Sequence, residues 1–208
     1  MPTPSVLISE VGPRDGLQSV NSVMLTAHKL AWIDGLYHAG VREIEVCSFV
    51  PARLLPQMAD AAEVVRHAVS LPGLTVMALV PNRTGAQAAL AAGVHKLTIP
   101  VSASEAHSMA NVRKTRVDMV QEVRNIVALR NECAPRVKIE AGVSTAFGCT
   151  LQGEVRDDEV VWLHIYTTPV GSGWPTVWPP MRWVSPPLTV RKVAWADVLT
   201  RREPRGMW

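Results

Sequence analysis

The 208-residue sequence has few cysteines, few aromatic residues and no long apolar run. Its three cysteines, Cys47, Cys133 and Cys149, are an odd number at unrelated spacings, which argues against a disulfide framework or a zinc knuckle and favours the reducing cytoplasm. No stretch approaches the ~18 uninterrupted apolar residues that a membrane helix needs. The first residues lack a basic segment followed by an apolar core, so we expect no secretory signal and no membrane partner.

The net positive charge is confined to the end of the chain. The formal net charge is +3, but residues 164–208 hold six Lys or Arg against two acidic residues, so the remaining chain is slightly acidic. A nucleic-acid-binding face needs cations and stacking aromatic side chains on one folded element. Residues 1–163 offer no such face, so we expect no nucleic-acid partner. The alternative, a tail that binds nucleic acid or another acidic surface, depends on those six cations alone.

The composition changes near residue 163. Residues 164–208 hold five of the seven tryptophans and seven of the sixteen prolines, and 164–187 show neither helical nor strand periodicity. We predict a folded domain over 1–163 and an irregular tail over 164–208 that is poorly ordered or non-native in character.

Residues 1–163 alternate regularly between predicted strands and helices. Thr26 and Asn82 are placed to cap helices, and Gly40 and Gly93 to end them. The predicted strands are 6–8, 41–46, 74–80, 94–99 and 137–141; the predicted helices are 26–40, 56–69, 82–92, 117–130 and 155–163. This alternation predicts a parallel sheet with right-handed crossovers.

Periodicity alone does not separate an open doubly wound sheet from part of a (βα)8 barrel. Strands of an open parallel sheet are covered on both faces and are usually almost wholly apolar. Here polar residues occupy alternate strand positions, as a barrel interior tolerates near its catalytic mouth: Glu43, Glu45, Lys96, Thr98, Lys138 and Glu140. We therefore predict an α/β fold, a partial (βα)8 TIM barrel of about five βα units with an irregular C-terminal tail.

The segment 11–18 follows the first predicted strand, at the end of the sheet where α/β enzymes build their sites. Arg14 and Asp15 lie between Gly12 and Gly16, so a cation and an oxygen ligand can reach one small volume. The same four residues would equally form a salt-bridged turn with no catalytic role.

Glu45 lies in the middle of the second predicted strand among apolar neighbours. A buried carboxylate without a partner is costly, so Glu45 must face a polar cavity or a partner, for which Arg14 or a metal ion would be suitable. The alternative is an ion pair with Arg42 or Lys96 on the outside of the sheet.

Two further polar segments, 102–111 and 142–153, follow the fourth and fifth predicted strands. Ser104 is a good helix cap, and His107 is interpreted as a solvated loop histidine. Cys149 has no histidine near it in sequence, which argues against a nucleophile. These two segments, the segment 11–18 and the segment around Glu45 all fall at carboxyl ends of predicted strands, and this coincidence is the main indication of an enzyme.

Five segments carry a resemblance to a known family: VGPRDGLQ (11–18), IEVCSFVPARLLPQMAD (44–60), LVPNRTGAQAALAAGV (79–94), SASEAHSMANVRKT (102–115) and GVSTAFGCTLQGEV (142–155). The sequence resembles the hydroxymethylglutaryl-CoA lyase family, within the metal-dependent lyase and aldolase barrels. The resemblance implies a (βα)8 barrel with Mg²⁺ or Mn²⁺ at its mouth. It also implies an acyl-CoA substrate, 3-hydroxy-3-methylglutaryl-CoA, cleaved to acetyl-CoA and acetoacetate.

The resemblance also implies roles for four residues. Asp15 would be a metal ligand, and Arg14 would hold the thioester oxygen as it gains enolate charge. Glu45 would assist proton transfer from the metal's outer shell. Gln18 would line the substrate pocket.

Members of the family continue with a His-x-His pair of metal ligands and a glycine-rich loop that carries a cysteine and an asparagine. After His107 this sequence has only His164, and no cysteine follows Cys149. We predict that the reading frame shifts near codon 163, and that Asp15 alone holds Mg²⁺ or Mn²⁺ weakly. Open sheet edges would favour a homo-oligomer or pairing with another chain. An inactive remnant or an assembly protein is the alternative to a lyase.

Overall fold

The computed structural model of the protein describes residues 7–167. Five strands form one parallel sheet: β1 (Ser9–Glu10), β2 (Glu43–Ser48), β3 (Thr75–Leu79), β4 (Lys96–Ser102) and β5 (Lys138–Ser144). The helices are α1 (Thr26–His38), α2 (Ala61–Val69), α3 (Arg83–Ala92), α4 (Glu105–Val112), α5 (Arg116–Cys133) and α6 (Asp157–Thr167). α6 continues past the predicted boundary at residue 163, and the predicted irregular tail from 168 onward lies outside the described residues.

The strands are neighbours in chain order, β1-β2-β3-β4-β5. A doubly wound sheet reverses its strand order at a switch point, whereas a barrel adds each strand beside the previous one. The order therefore settles the alternative that periodicity left open, and the predicted partial TIM barrel is confirmed.

The first strand differs from its prediction. It pairs with β2 at Ser9 and Glu10, and Leu7 and Ile8 before it are 63% and 67% exposed; residue 6 of the predicted strand 6–8 lies outside the described residues. The apolar character of this segment predicted a strand, but strand formation also needs a partner. β2 begins at Glu43, which is the partner of Ser9.

The core lies between the sheet and its helices. Alternate strand residues are completely buried there, namely Ile44, Val76, Ala78, Leu97 and Ile99. Because side chains alternate across a strand, the residues between them lie on the opposite side of the sheet. We call this side the inner face and define it by Glu43, Glu45, Lys96, Thr98 and Glu140.

Helix ends follow the predicted signals at α3. The Asn82 side chain accepts a hydrogen bond from the Gly85 N–H at 2.9 Å, and Gly93 ends the helix at φ +95°. Gly85 is also required by packing, since a Cβ there would lie 2.6 Å from the carbonyl oxygen of Phe49. Within residues 7–167, no helix is both long and apolar enough to cross a bilayer.

The predicted cap at Thr26 is wrong. Thr26 is the first residue of α1, and its hydroxyl donates to Asp60 Oδ2 at 2.8 Å. The buried Lys29 binds the other oxygen of Asp60 at 2.6 Å. The Thr26 hydroxyl therefore binds Asp60, 34 residues away in sequence, and does not cap the helix.

Candidate active site

The turn after β1 is a single turn of π-helix, Gly12–Gly16. The Gly12 N–H donates to Glu10 Oε1 at 2.6 Å, and a Cβ at Gly12 would lie 2.8 Å from that oxygen and 3.2 Å from the Trp32 ring. Glycine is therefore needed for this close approach. The turn presents Arg14, the next polar side chain, toward Glu45 on β2.

Arg14 joins the two predicted carboxylates. Its Nε and Nη2 each lie 2.5 Å from Glu45 Oε2, and its Nη1 lies 2.7 Å from Asp15 Oδ1. The predicted pairing of Glu45 with Arg14 is thus present, in place of the alternative with Arg42 or Lys96. A planar guanidinium held at three nitrogens by two carboxylates has little freedom to turn.

The second oxygen of Glu45 has a partner of its own. The hydroxyl of Thr98, on β4, donates to Glu45 Oε1. Glu45 is only 2% exposed, and a buried carboxylate is tolerated when a counter-charge and hydrogen bonds satisfy it. Both oxygens of this carboxylate are therefore engaged by protein groups.

A second charged layer lies beside this network on the inner face. Lys96 Nζ lies 3.1 Å from Glu43 Oε1 and 2.9 Å from Glu140 Oε2. Burial alone would lower the pKa of Lys96, but hydrogen bonds to Glu140 and Glu43 outweigh it and raise the pKa above the ordinary lysine value. Three of the polar strand residues that predicted a barrel interior, Lys96, Glu43 and Glu140, thus form ion pairs across the sheet.

Asp15 and Gln18, the two other predicted site residues, are at the surface. The Asp15 side chain is 62% exposed, with one oxygen on Arg14. Gln18 is exposed two residues past the turn, and among residues 7–167 it has no hydrogen bond to Arg14, Asp15 or Glu45. The structure therefore brings three of the four predicted site residues into direct contact.

A second polar cluster lies at the carboxyl ends of β4 and β5. Ser102 Oγ lies 2.7 Å from His107 Nδ1 and 3.2 Å from Ser144 Oγ. The interpretation of His107 as a solvated loop residue is wrong, because it lies on α4 and is half-buried. Ser104 caps α4 as predicted, by accepting the His107 N–H at 3.1 Å.

The Cys149 thiol has an environment that sequence spacing missed. The Ser104 side chain, followed by the backbone N–H groups of Leu151, Gln152 and His107, lowers the pKa of Cys149 against the opposing effect of burial. The Ser104 hydroxyl itself donates to Gln152 Oε1 at 2.8 Å. The Leu151 N–H lies 3.4 Å from Sγ. Ser104 is 45 residues from Cys149 in sequence, so the residues next to Cys149 in the sequence did not indicate this contact. The sequence indicated it only through the position of both residues after adjacent strands.

The residues described here do not form a complete metal site. Within 7–167, no group of three or more His, Cys, Asp or Glu side chains is arranged to hold an ion. Asp15 is the single predicted ligand in this range. These residues alone do not fit a tightly bound divalent cation.

Five βα units in chain order, with a charged network after β1 and on β2, define part of a TIM barrel, the class of fold in which enzymes build their sites at the carboxyl ends of the strands. The HMGL-like family model matches residues 5–165. The chain belongs to this family of lyases.

The two relatives described here are larger than this chain. The chain is 37% identical over 158 residues to the 3-hydroxy-3-isohexenylglutaryl-CoA/hydroxy-methylglutaryl-CoA lyase of Pseudomonas aeruginosa, covering 76% of this chain and 52% of that protein. It is 35% identical over 166 residues to the hydroxymethylglutaryl-CoA lyase YngG of Bacillus subtilis, covering 78% and 54%. The chain spans about half the length of the curated relatives it matches.

Solved structures that are similar to this chain are also matched over about half of their length. The HMG-CoA lyase of Bacillus subtilis superposes with a TM-score of 0.74 at 34% identity, over 80% of this chain and 55% of that one. An HMG-CoA lyase from Acinetobacter baumannii, in complex with coenzyme A and 3-methylmalate, gives a TM-score of 0.72 at 31% identity, over 77% and 52%. The described residues therefore correspond to about half of a lyase barrel.

Proposed function

We propose that the chain is a carbon–carbon lyase that cleaves 3-hydroxy-3-methylglutaryl-CoA to acetyl-CoA and acetoacetate. The observation that carries this proposal is the Arg14 guanidinium, fixed between Glu45 and Asp15 beside the carboxyl ends of the strands. Membership of the HMGL-like family and the names of the matched relatives support the choice of reaction.

The proposed reaction is a retro-Claisen cleavage. The hydroxyl on C3 loses its proton, the C2–C3 bond breaks, and the electron pair of that bond passes to C2 and the thioester oxygen as an enolate. Protonation of C2 then gives acetyl-CoA, and C3 becomes the ketone of acetoacetate. A fixed cation beside the thioester oxygen lowers the barrier, because it is already oriented toward the charge that develops there.

Arg14 is suited to that role because its orientation is set before substrate arrives. A guanidinium has five N–H donors, and the three bonds to Glu45 and Asp15 leave two of them for a substrate oxygen. In this proposal Glu45 holds Arg14 and assists proton transfer. Gln18, exposed beside the turn, lines the pocket.

A bound Mg²⁺ or Mn²⁺ would polarise the C3 hydroxyl and the substrate carboxylate. The described residues supply Asp15 alone, so we expect weak binding and assign the ion no step. Titration calorimetry with Mn²⁺ should give weak binding that Asp15→Asn abolishes. Tight binding that survives this substitution would contradict the assignment of Asp15.

The function is tested by acetoacetate formation from 3-hydroxy-3-methylglutaryl-CoA by the full 208-residue chain with saturating Mn²⁺. Arg14→Met and Asp15→Asn should each abolish turnover. Glu132→Gln, on the exposed surface of α5, is the matched control and should leave turnover unchanged. Turnover that survives Arg14→Met would contradict the proposed role of the guanidinium.

One observation favours a second candidate, an inactive remnant or an assembly protein. Within residues 7–167, β5 pairs with β4 on one side and with no strand on the other. Exposed strand edges favour pairing with another chain. No turnover at saturating metal, together with a stable oligomer in light scattering, would support this candidate over the lyase.

A further inference from the structure

Polar side chains on the inner face contact each other across β3, which lies between β2 and β4. The Thr98 hydroxyl reaches Glu45, and the Lys96 ammonium reaches Glu43 in the same way, two residues earlier on each strand. The residue beside Glu45 on β3 is Met77, which pairs with Glu45 on β2 and with Lys96 on β4. Its thioether is no hydrogen-bond donor. The donor for Glu45 therefore comes from β4.

The two oxygens of Glu45 are held by different groups. Oε2 accepts from Nε and Nη2 of Arg14, each at 2.5 Å, and Oε1 accepts from Thr98. A carboxylate held at one oxygen can still rotate about its last bond, since that torsion is broad. Held at both oxygens, it has one orientation, and the plane of the guanidinium follows it.

We propose that Thr98 is a positioning residue for Arg14, acting through Glu45. This inference rests on the proposed function, in which the two remaining N–H groups of Arg14 bind the thioester oxygen. The Thr98 hydroxyl touches neither Arg14 nor the substrate in this scheme. It sets the direction of the Glu45 carboxylate, which in turn sets the direction of the guanidinium.

The variants separate the hydroxyl from the shape of the side chain. Thr98→Val keeps the size and removes the donor, and Thr98→Ser keeps the donor and removes the methyl group. Thr75→Val is the matched control, on β3 of the same sheet, where the described contacts of Thr75 are through its backbone. Thr98→Ala is a second donor-free variant in case Thr98→Val does not fold, which circular dichroism will show.

The first measurement needs no catalytic activity. In the ¹⁵N-labelled full chain, the Nε–H signal of Arg14, assigned by its loss in Arg14→Lys, reports the pairing with Glu45. We expect its exchange with water to be at least tenfold faster in Thr98→Val than in the wild type, and unchanged in Thr98→Ser and Thr75→Val. Unchanged exchange in Thr98→Val, or an equal increase in Thr75→Val, would overturn the proposal.

The second measurement is turnover. We expect Thr98→Val to lower kcat roughly ten- to a hundredfold with KM within about twofold, because misorientation affects the transition state more than binding. Thr98→Ser should restore kcat, and a serine variant as slow as the valine variant would overturn the proposal. If the wild type has no turnover, the proposed function fails, and the exchange measurement alone decides the role of Thr98.

Discussion

Replacing Arg14 with methionine should destabilise the fold as well as abolish turnover. The Glu45 side chain is 3% exposed and would keep only the Thr98 hydroxyl among its described partners. Removing one partner of a buried ion pair typically costs about 3–5 kcal/mol. The Arg14 side chain is 17% exposed, so water can enter after its removal, and we expect a loss of about 3 kcal/mol in the free energy of unfolding.

The assay is urea unfolding of the full chain, followed by circular dichroism. A slope of about 1–3 kcal/mol per M converts this loss into a midpoint lower by about 1–3 M. Arg53→Met is the matched control, since Arg53 is exposed, and it should shift the free energy by less than about 0.5 kcal/mol.

A double-mutant cycle tests the cause of this loss. Glu45→Gln needs no counter-charge, so Arg14→Met should cost less in the Glu45→Gln background, with a coupling of at least about 1 kcal/mol. Strict additivity, or a single-mutant loss as small as that of Arg53→Met, would refute the buried ion pair as the source of stability.

Three further predictions follow from the described contacts. The pKa of Lys96 is raised in the folded state, so its charged form stabilises the fold fully below the ordinary lysine pKa and this effect is lost as pH rises through the folded value. The urea midpoint of the wild type should therefore fall above about pH 10.5. The fall should be smaller in Lys96→Met. Burial raises the pKa of the Cys47 thiol, so native alkylation read by mass spectrometry should label the exposed Cys133 and leave Cys47 unmodified; fast labelling of Cys47 would contradict its placement. Ser104→Ala should cost about 1 kcal/mol and increase amide exchange in α4 through loss of the cap. It should also slow alkylation of Cys149, because the Ser104 side chain lowers the pKa of that thiol and its removal raises it.

Local signals predicted much of the fold. The Asn82 side chain and Gly93 bound α3 as expected, because a cap and a left-handed glycine depend on a few adjacent residues. The alternation of apolar and polar residues on the strands predicted a polar inner face, because alternation is a property of any extended strand. The family resemblance implied one site for Arg14, Asp15 and Glu45, and in the structure Arg14 contacts both carboxylates.

Signals that depend on a distant partner were missed or misread. Thr26 has the chemistry of a cap, but Asp60 takes its hydroxyl. The apolar segment before Ser9 predicted a strand, yet pairing with β2 begins later. Cys149 was judged by its neighbours in sequence, but Ser104, whose side chain lowers the pKa of the thiol, lies at the end of another strand.

The sequence by itself determined which residues alternate, which glycines end helices, and that a guanidinium and a carboxylate adjoin in one turn. All of these depend on separations of a few residues, over which backbone geometry leaves few choices. Only the tertiary structure decided that Thr98 completes the partners of Glu45 from two strands away. That contact requires the curvature and register of the whole sheet, which no local pattern encodes.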